Sequence, residues 1–234
     1  MKLRSCAIMQ PTYLPWAGYF NLMSRVDVFV LLDDVQLNRR SWQVRNRILL
    51  EGREKLLTVP TCKAPREAAI CDIRIDHSTD WREKHWKTLQ VAYRKAPHGV
   101  AMLEVLSAAY TGKQVLGLCD FNHELIVLLA NCLGIGTQIV RASALNCTGK
   151  RTGHLLNLCH ATQCDRYLSP FGSQEYLQAD GFSEQSTISL EVQLFDPAPY
   201  VQYRACGFVS HLSIVDILAN LGTTGASSYV RSRH

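Results

Sequence analysis

Apolar residues follow two rhythms along this chain, and the two alternate. Cys6 to Met9 is a short apolar run that stops at Gln10-Pro11, where proline removes a backbone donor; it reads as a buried strand. Pro15 suits a helix start, and Trp16, Tyr19, Phe20 and Met23 then recur at spacings of three and four, which predicts a helix over 15–24. Val28 to Leu32 is a continuous apolar run. That is the pattern of a strand covered on both faces, as in a parallel sheet. Residues 5–35 therefore read as one βαβ unit.

The same alternation continues. Leu56 to Val59 is a short strand ended by Pro60, residues 63–67 are loop, and Cys71 to Ile75 alternates like a strand. Asp80 with Glu83 resembles a capping box, and Trp81, His85, Leu89 and Ala92 fall on one face of the helix it opens. Pro97 stops that helix. Asp120 to Leu133 is a strongly apolar helix with Gly134 placed as its C-terminal cap. Gln138 to Val140 is a strand, Thr148 caps a helix running through His160, and Arg166 to Ser169 is a strand, which gives a second βαβ unit. Leu190, Val192 and Leu194 mark a half-exposed strand, and Ser210 to Leu221 a last amphipathic helix before Gly222. The expectation is a three-layer α/β domain over 1–222 with a mostly parallel, Rossmann-like sheet and added helices. Residues 223–234, small and polar with basic residues, read as a mobile tail.

Composition narrows the class. The 234 residues are 47% hydrophobic and 19% charged, enough to bury an ordinary core and incompatible with disorder or a coiled coil. A net charge of +5 falls short of a nucleic-acid-binding signature. The nine cysteines are odd in number and lack C-x-x-C spacing, and several lie in apolar surroundings, so they read as reduced thiols and not as a disulfide or zinc framework. His160 lies six residues after His154, on the far side of a helix, and no metal site is expected there. With no signal-peptide pattern and no apolar run of spanning length, the expectation is a cytoplasmic protein without membrane insertion.

In open α/β sheets ligands bind beyond the carboxyl ends of the strands, which selects three loops. The first, Gln10 to Trp16, holds two prolines around Tyr13 and Leu14. It is either an amphipathic pocket wall presenting Gln10, Tyr13 and Trp16, or a rigid turn whose aromatics pack in the core. The second, Asp33-Asp34, offers a carboxylate to orient an amine, act as a base or hold Mg²⁺; otherwise it is a pair of solvated acids or a partner for Arg39, Arg40 or Arg45. The third is Ser169 to Ser173, after the later strand. Arg39 to Arg47, with Trp42 among its arginines, is either a phosphate-binding segment or an exposed helix face, and RNA would want more stacking aromatics than one. His85 is either a packed histidine or a base. Thr148-Gly149-Lys150 lacks the rest of a phosphate-loop pattern, although Lys150 at a helix start suits an anion. Neither G-x-G-x-x-G nor G-x-S-x-G occurs.

The stretch QPTYLPWAGYFNLMSRVDVFVLLDDVQLNRRSWQVRNRI, from Gln10 to Ile48, closely resembles the opening of the WbqC-like family. LLTVP at 56–60, WREKHWKTL at 81–89, residues 150–176 and YVQYRACGFVSHLSIVDILANLG at 200–222 resemble that family's later blocks, so the likeness covers essentially the whole chain. It implies a place in O-antigen or other surface-polysaccharide synthesis and a role in transferring an aminoacyl group, glycine in particular, to the amine of a deoxyamino sugar nucleotide or a related small amine. The alternative is a non-catalytic subunit that binds the nucleotide sugar. The matching positions include Gln10, Tyr13, Trp16, Gly18, Asp33, Asp34, Arg45, Asn46, Arg47, His85, Tyr200, Gln202, Ser213 and Asp216. One departure is Pro170 directly after Ser169, where the family has a glycine-containing turn. A weaker similarity is to the nucleotidylyltransferases that include pantothenate synthetase, whose His-x-Gly-His signature is replaced here by Trp16-Ala17-Gly18-Tyr19. The donor is then either ATP with magnesium plus an amino acid, or aminoacyl-tRNA with no cofactor. Asp33, Asp34 and His85 are the candidate bases. Gln10, Tyr13, Trp16, Arg45, Asn46, Arg47, Lys150, Ser169, Tyr200, Gln202 and Ser213 are the candidate substrate contacts.

Overall fold

A computed structural model of the chain describes residues 3–38 and 40–232. Arg39 of the basic segment lies outside the described residues. The strands are β1 (Ser5–Met9), β2 (Val28–Leu31), β3 (Arg45–Leu50), β4 (Arg53–Thr58), β5 (Gln138–Arg141), β6 (Arg166–Ser169) and β7 (Ser189–Val192). The helices are α1 (Ala17–Ser24), α2 (Trp81–Tyr93), α3 (Gly99–Thr111), α4 (Leu118–Cys132), α5 (Ala142–Leu145), α6 (Arg151–Ala161), α7 (Gln174–Ala179) and α8 (Ile214–Arg231).

Five strands form one sheet in the order β5-β2-β1-β6-β7, all of them parallel. β1 and β2 are neighbours, in register from Cys6 opposite Val28 to Met9 opposite Leu31. Their alternation explains the continuous apolar runs. Cys6, Ile8, Val28 and Val30 pack with Leu155 and Leu158 of α6 and Leu177 of α7, whereas Ala7, Phe29 and Leu31 join the larger core with Phe20 of α1, Leu125 of α4 and Ile217 of α8. Helices thus cover both faces of a parallel sheet, the three-layer α/β arrangement. The α2 face of Trp81, His85, Leu89 and Ala92 is buried as its spacing predicts. Gly134 (φ 65°) ends α4 as expected: its N–H donates to Asn131 and the next N–H, of Ile135, to Ala130, which satisfies carbonyls the helix leaves open.

Several expectations need correction. Cys71 to Ile75 is not a strand. Residues 70–72 form a single 3₁₀ turn, because the Ile70 and Cys71 N–H groups donate to the Val35 and Asp33 carbonyls just beyond β2. The basic segment contains a strand and not a helix face: β3 and β4 pair as an antiparallel hairpin through Glu51 and Gly52, both at positive φ, as a two-residue hairpin turn requires. Glu83 ion-pairs with Lys87 at 2.6 Å, and the Asp80 side chain makes no cap bond, so the capping box is not formed. α3 fills residues that carried no predicted element. The segment from 223 is not a loose tail. Gly222 (φ 68°) interrupts the last helix where its end was read, but the chain resumes helix to Arg231 and buries Ala226, Tyr229 and Val230. The remaining two residues of that expected tail, 233–234, lie outside the described residues. Among the described residues, no helix is long and apolar enough to cross a membrane.

Candidate functional site

The first and third loops meet; the second turns away. Beyond the carboxyl ends of β1, β6 and β7 lies a cleft of two lobes. The larger, about 470 Å³, is walled by Trp16, Tyr19, Phe171, Phe195 and Asp196; the smaller, about 240 Å³, by Thr12, Trp16, Trp42, Asn46 and Arg47. Met9, Trp16, Tyr19 and His211 line both lobes. The His211 ring stacks on Trp16 with centroids 4.7 Å apart, and its Nδ1 lies 2.9 Å from the Ser210 hydroxyl. Trp16 lies across Gly18 so closely that a Cβ there would sit 2.2 Å from the indole. Trp42, Phe171 and Leu194 stand 48%, 67% and 70% exposed around this opening.

The wall formed by residues 10–16 is held by hydrogen bonds from distant residues. Asn46 Nδ2 donates to the Tyr13 and Leu14 carbonyls at 3.0 and 2.8 Å, and Asn122 Nδ2 to the Pro11 and Gln43 carbonyls at 3.1 and 2.8 Å. The Ile214 N–H closes on the Pro15 carbonyl at 2.8 Å, and the Tyr13 N–H on the Trp42 carbonyl at 2.9 Å. Buried loop carbonyls are thereby satisfied while Leu14 is held at φ 43°. At the far side, Gln193 Nε2 donates to the Gly18 carbonyl and Asn21 Oδ1, tying the end of β7 to α1.

Of the candidates read from the sequence, Trp16, Asn46 and Arg47 line the cleft. Arg47 is not a free fork: its terminal nitrogens donate to Glu54 and to the His211 carbonyl at 3.2 Å, and its guanidinium lies over Trp42. It braces the site. Gln10 lines neither lobe, and its amide oxygen accepts from Gln43. Tyr13 is fully buried, bonded to Tyr110 and, at 2.9 Å, to His85. His85 lines neither lobe, and burial pushes its imidazole down to about 4, so it is a neutral packed histidine. Ser169 is buried, with its hydroxyl on the Pro170 carbonyl. Lys150 is exposed at the start of α6, and Arg45 opens into a separate cavity.

Asp33 is fully buried and saturated. It accepts from the Ser143 N–H and hydroxyl, both at 2.8 Å, from Arg141 Nε at 2.7 Å and from the Cys119 thiol. Burial acts to raise its pKa, but the Ser143 N–H and the Arg141 guanidinium outweigh burial and hold it below the usual carboxylate range. It offers no oxygen to Mg²⁺. Asp34 pairs with His154 Nε2 at 3.0 Å, on the α6 side of the sheet. Among the described residues no group of His, Cys, Asp or Glu is arranged to hold a metal ion. Tyr200, Gln202 and Ser213 gather instead at the start of α8. Ser213 caps that helix through the Val215 N–H, while Asp216 accepts from Tyr200 at 2.6 Å, Tyr93 at 3.0 Å, Gln202 at 3.2 Å and Asn220 at 3.3 Å.

The model of the WbqC-like protein family matches residues 10–228. The chain belongs to the WbqC-like family. It is 32% identical over 232 residues to the uncharacterized protein Rv1507c of Mycobacterium tuberculosis, covering 98% of each chain. No solved structure matches it. In this WbqC-like chain the residues missed by sequence reasoning are His211, Phe171, Phe195 and Asp196. Phe171, Phe195 and Asp196 sit in no periodic segment, and His211 falls at the head of the helix predicted over 210–221, which begins only at Ile214. The signal available was position: 171 follows the β6 carboxyl end, 195–196 follow that of β7, and 211 precedes the Ser213 cap.

Proposed function

We propose that the two-lobed cleft binds a small amine, such as the amino group of a deoxyamino sugar nucleotide, and that an aminoacyl group, glycine by the family resemblance, is transferred to that amine there. The observation that carries this reading is one cleft at the carboxyl edge of the sheet where aromatic planes, the His211 imidazole and the Asp196 carboxylate stand together. Sugar rings and nucleobases pack on aromatic faces such as Trp16, Trp42 and Phe171. Asp196 suits an ammonium. An attacking amine must be neutral, and among the cleft residues His211 is the group suited to take its proton: Nδ1 lies against Ser210, while Nε2 has no hydrogen-bond partner among the described residues.

In this mechanism the amine nitrogen bonds to the acyl carbon and the donor's acyl–oxygen bond breaks. The proton passes through His211 to the leaving oxygen. The donor is an aminoacyl-tRNA ester, or an adenylate made from ATP and the amino acid. This chemistry goes with a cytoplasmic protein in surface-polysaccharide or specialised-metabolite synthesis. To test it, purified protein is incubated with an amino sugar nucleotide, the amino acid and either ATP or charged tRNA, and products are read by mass spectrometry. The expected product is heavier by one aminoacyl group, and His211→Gln lowers turnover about a hundredfold or more. Saturable sugar-nucleotide binding with no product from either donor would favour a non-catalytic binding subunit.

A further inference from the structure

We infer that the basic cavity beside the β3–β4 hairpin is a second ligand site that takes the diphosphate or triphosphate chain of a small phosphorylated compound. The cavity measures about 380 Å³ and shares no lining residue with the aromatic cleft. Arg40, Arg45, Lys63 and Arg66 line it, and no acidic residue does. Among the described residues none of these four makes an ion pair, whereas Arg25, Arg47, Arg141, Arg151 and Arg166 each have a carboxylate partner. The partly buried Arg25, Arg47, Arg141 and Arg166 are each neutralised, whereas Arg45, equally half-buried, is not, and the other three cations of the cavity stand exposed around it. Here four cations face one hollow without a counter-charge, and Arg45 Nε is buried with no hydrogen-bond partner at all.

The lining selects the ligand class. Thr58 and Thr61 add hydroxyls to the guanidinium and ammonium donors, and Val44, Val59 and Ile73 close the floor. A compact, multiply charged phosphate chain matches converging cations, and guanidinium groups bind its oxygens in pairs. No aromatic residue lines the cavity, so it offers no stacking surface for a base. A nucleic-acid strand wants the opposite design, a long charged groove with stacking aromatics.

The test is calorimetric titration of the full chain in magnesium-free buffer with pyrophosphate, ADP, orthophosphate and a short single-stranded RNA. Lys63 and Arg66 are exposed, so the double variant Lys63→Gln/Arg66→Gln is expected to fold like the parent, which its melting curve checks. The expected result is saturable binding of pyrophosphate and ADP, weaker by about tenfold or more in the double variant and much weaker for orthophosphate. Equal affinity in parent and variant, or no saturable binding of either diphosphate, overturns the inference. RNA that binds more tightly than both diphosphates and loses that binding in the variant also overturns it, in favour of a nucleic-acid surface.

Discussion

Asp33 and Asp216 are both carboxylates with no exposed surface, and the protein treats them in opposite ways. Asp33, beyond β2, is met by a cation and the backbone and hydroxyl of one serine, and its pKa falls. Asp216, in the first turn of α8, is met by two phenols and two amides, all neutral. Burial wins over those donors and its pKa rises. Equal burial therefore does not mean equal chemistry. Neutral side-chain donors satisfy the geometry of Asp216 without offsetting its burial, whereas at Asp33 the Ser143 N–H and the Arg141 guanidinium together do offset it. The contrast also separates roles. The β2 acid joins the sheet edge to α5, whereas the α8 acid fixes residues 200–202 against the helix that follows His211 and Ser213.

Substituting the first acid tests the contrast most severely. Asp33→Asn leaves Arg141 with Asp120 alone and opposes an amide N–H to donors; urea unfolding at neutral pH is expected to show a loss of about 3 kcal/mol. That loss should shrink in acid. A lowered folded-state pKa contributes stability that is present above the unfolded value of 3.8 and disappears as pH falls through the lowered one. Little change at neutral pH would mean that the ion pair contributes nothing net.

His85 comes next, because it acts in a neighbouring pH window. Its folded-state value near 4 against 6.5 unfolded means that stability is full above 6.5 and falls as pH drops toward 4, by on the order of 3 kcal/mol. His85→Gln should flatten the stability profile between those values. A slope that persists unchanged in that variant would assign it to other groups. The smallest effect is expected at the second acid. Asp216→Asn keeps the shape and can turn its oxygen to Tyr200, Gln202 and Asn220, so a cost within about 1 kcal/mol at neutral pH is expected. Its pH dependence has the opposite sign to that of Asp33. A raised pKa favours the fold in acid, and that contribution is lost as pH rises through the raised value. Removing the carboxyl should remove that decline, and a loss as large as that of Asp33→Asn would erase the distinction between the two sites.

The legible parts of the sequence were those whose cause is local. β1 and β2 announce themselves because burial on both faces demands unbroken apolar runs, and α2 because one helical face is buried. β3 hides because its strand is rich in arginine and its turn is Glu51-Gly52 in place of the commoner Asn-Gly. The strand-end rule selected the sheet edge where the cleft lies and two of the loops that build it. It did not show which way each side chain turns. Asp33 is captured by Ser143, 110 residues away, and Tyr13 by His85, 72 away. Such partners are visible only once the chain is folded.

The clamping of residues 10–16 by Asn46 and Asn122 has a consequence for the thermodynamics of recognition. Ordering a loop of that length on binding would cost about 1–2 kcal/mol per residue in backbone entropy, taken directly from affinity. Here that cost falls on folding, since the two amides and the Ile214 N–H fix the loop before any ligand arrives. The Trp16 face of the cleft is thus presented ready-shaped, and a ligand that fits it is spared the cost of ordering that loop, leaving only its own lost freedom and desolvation to offset.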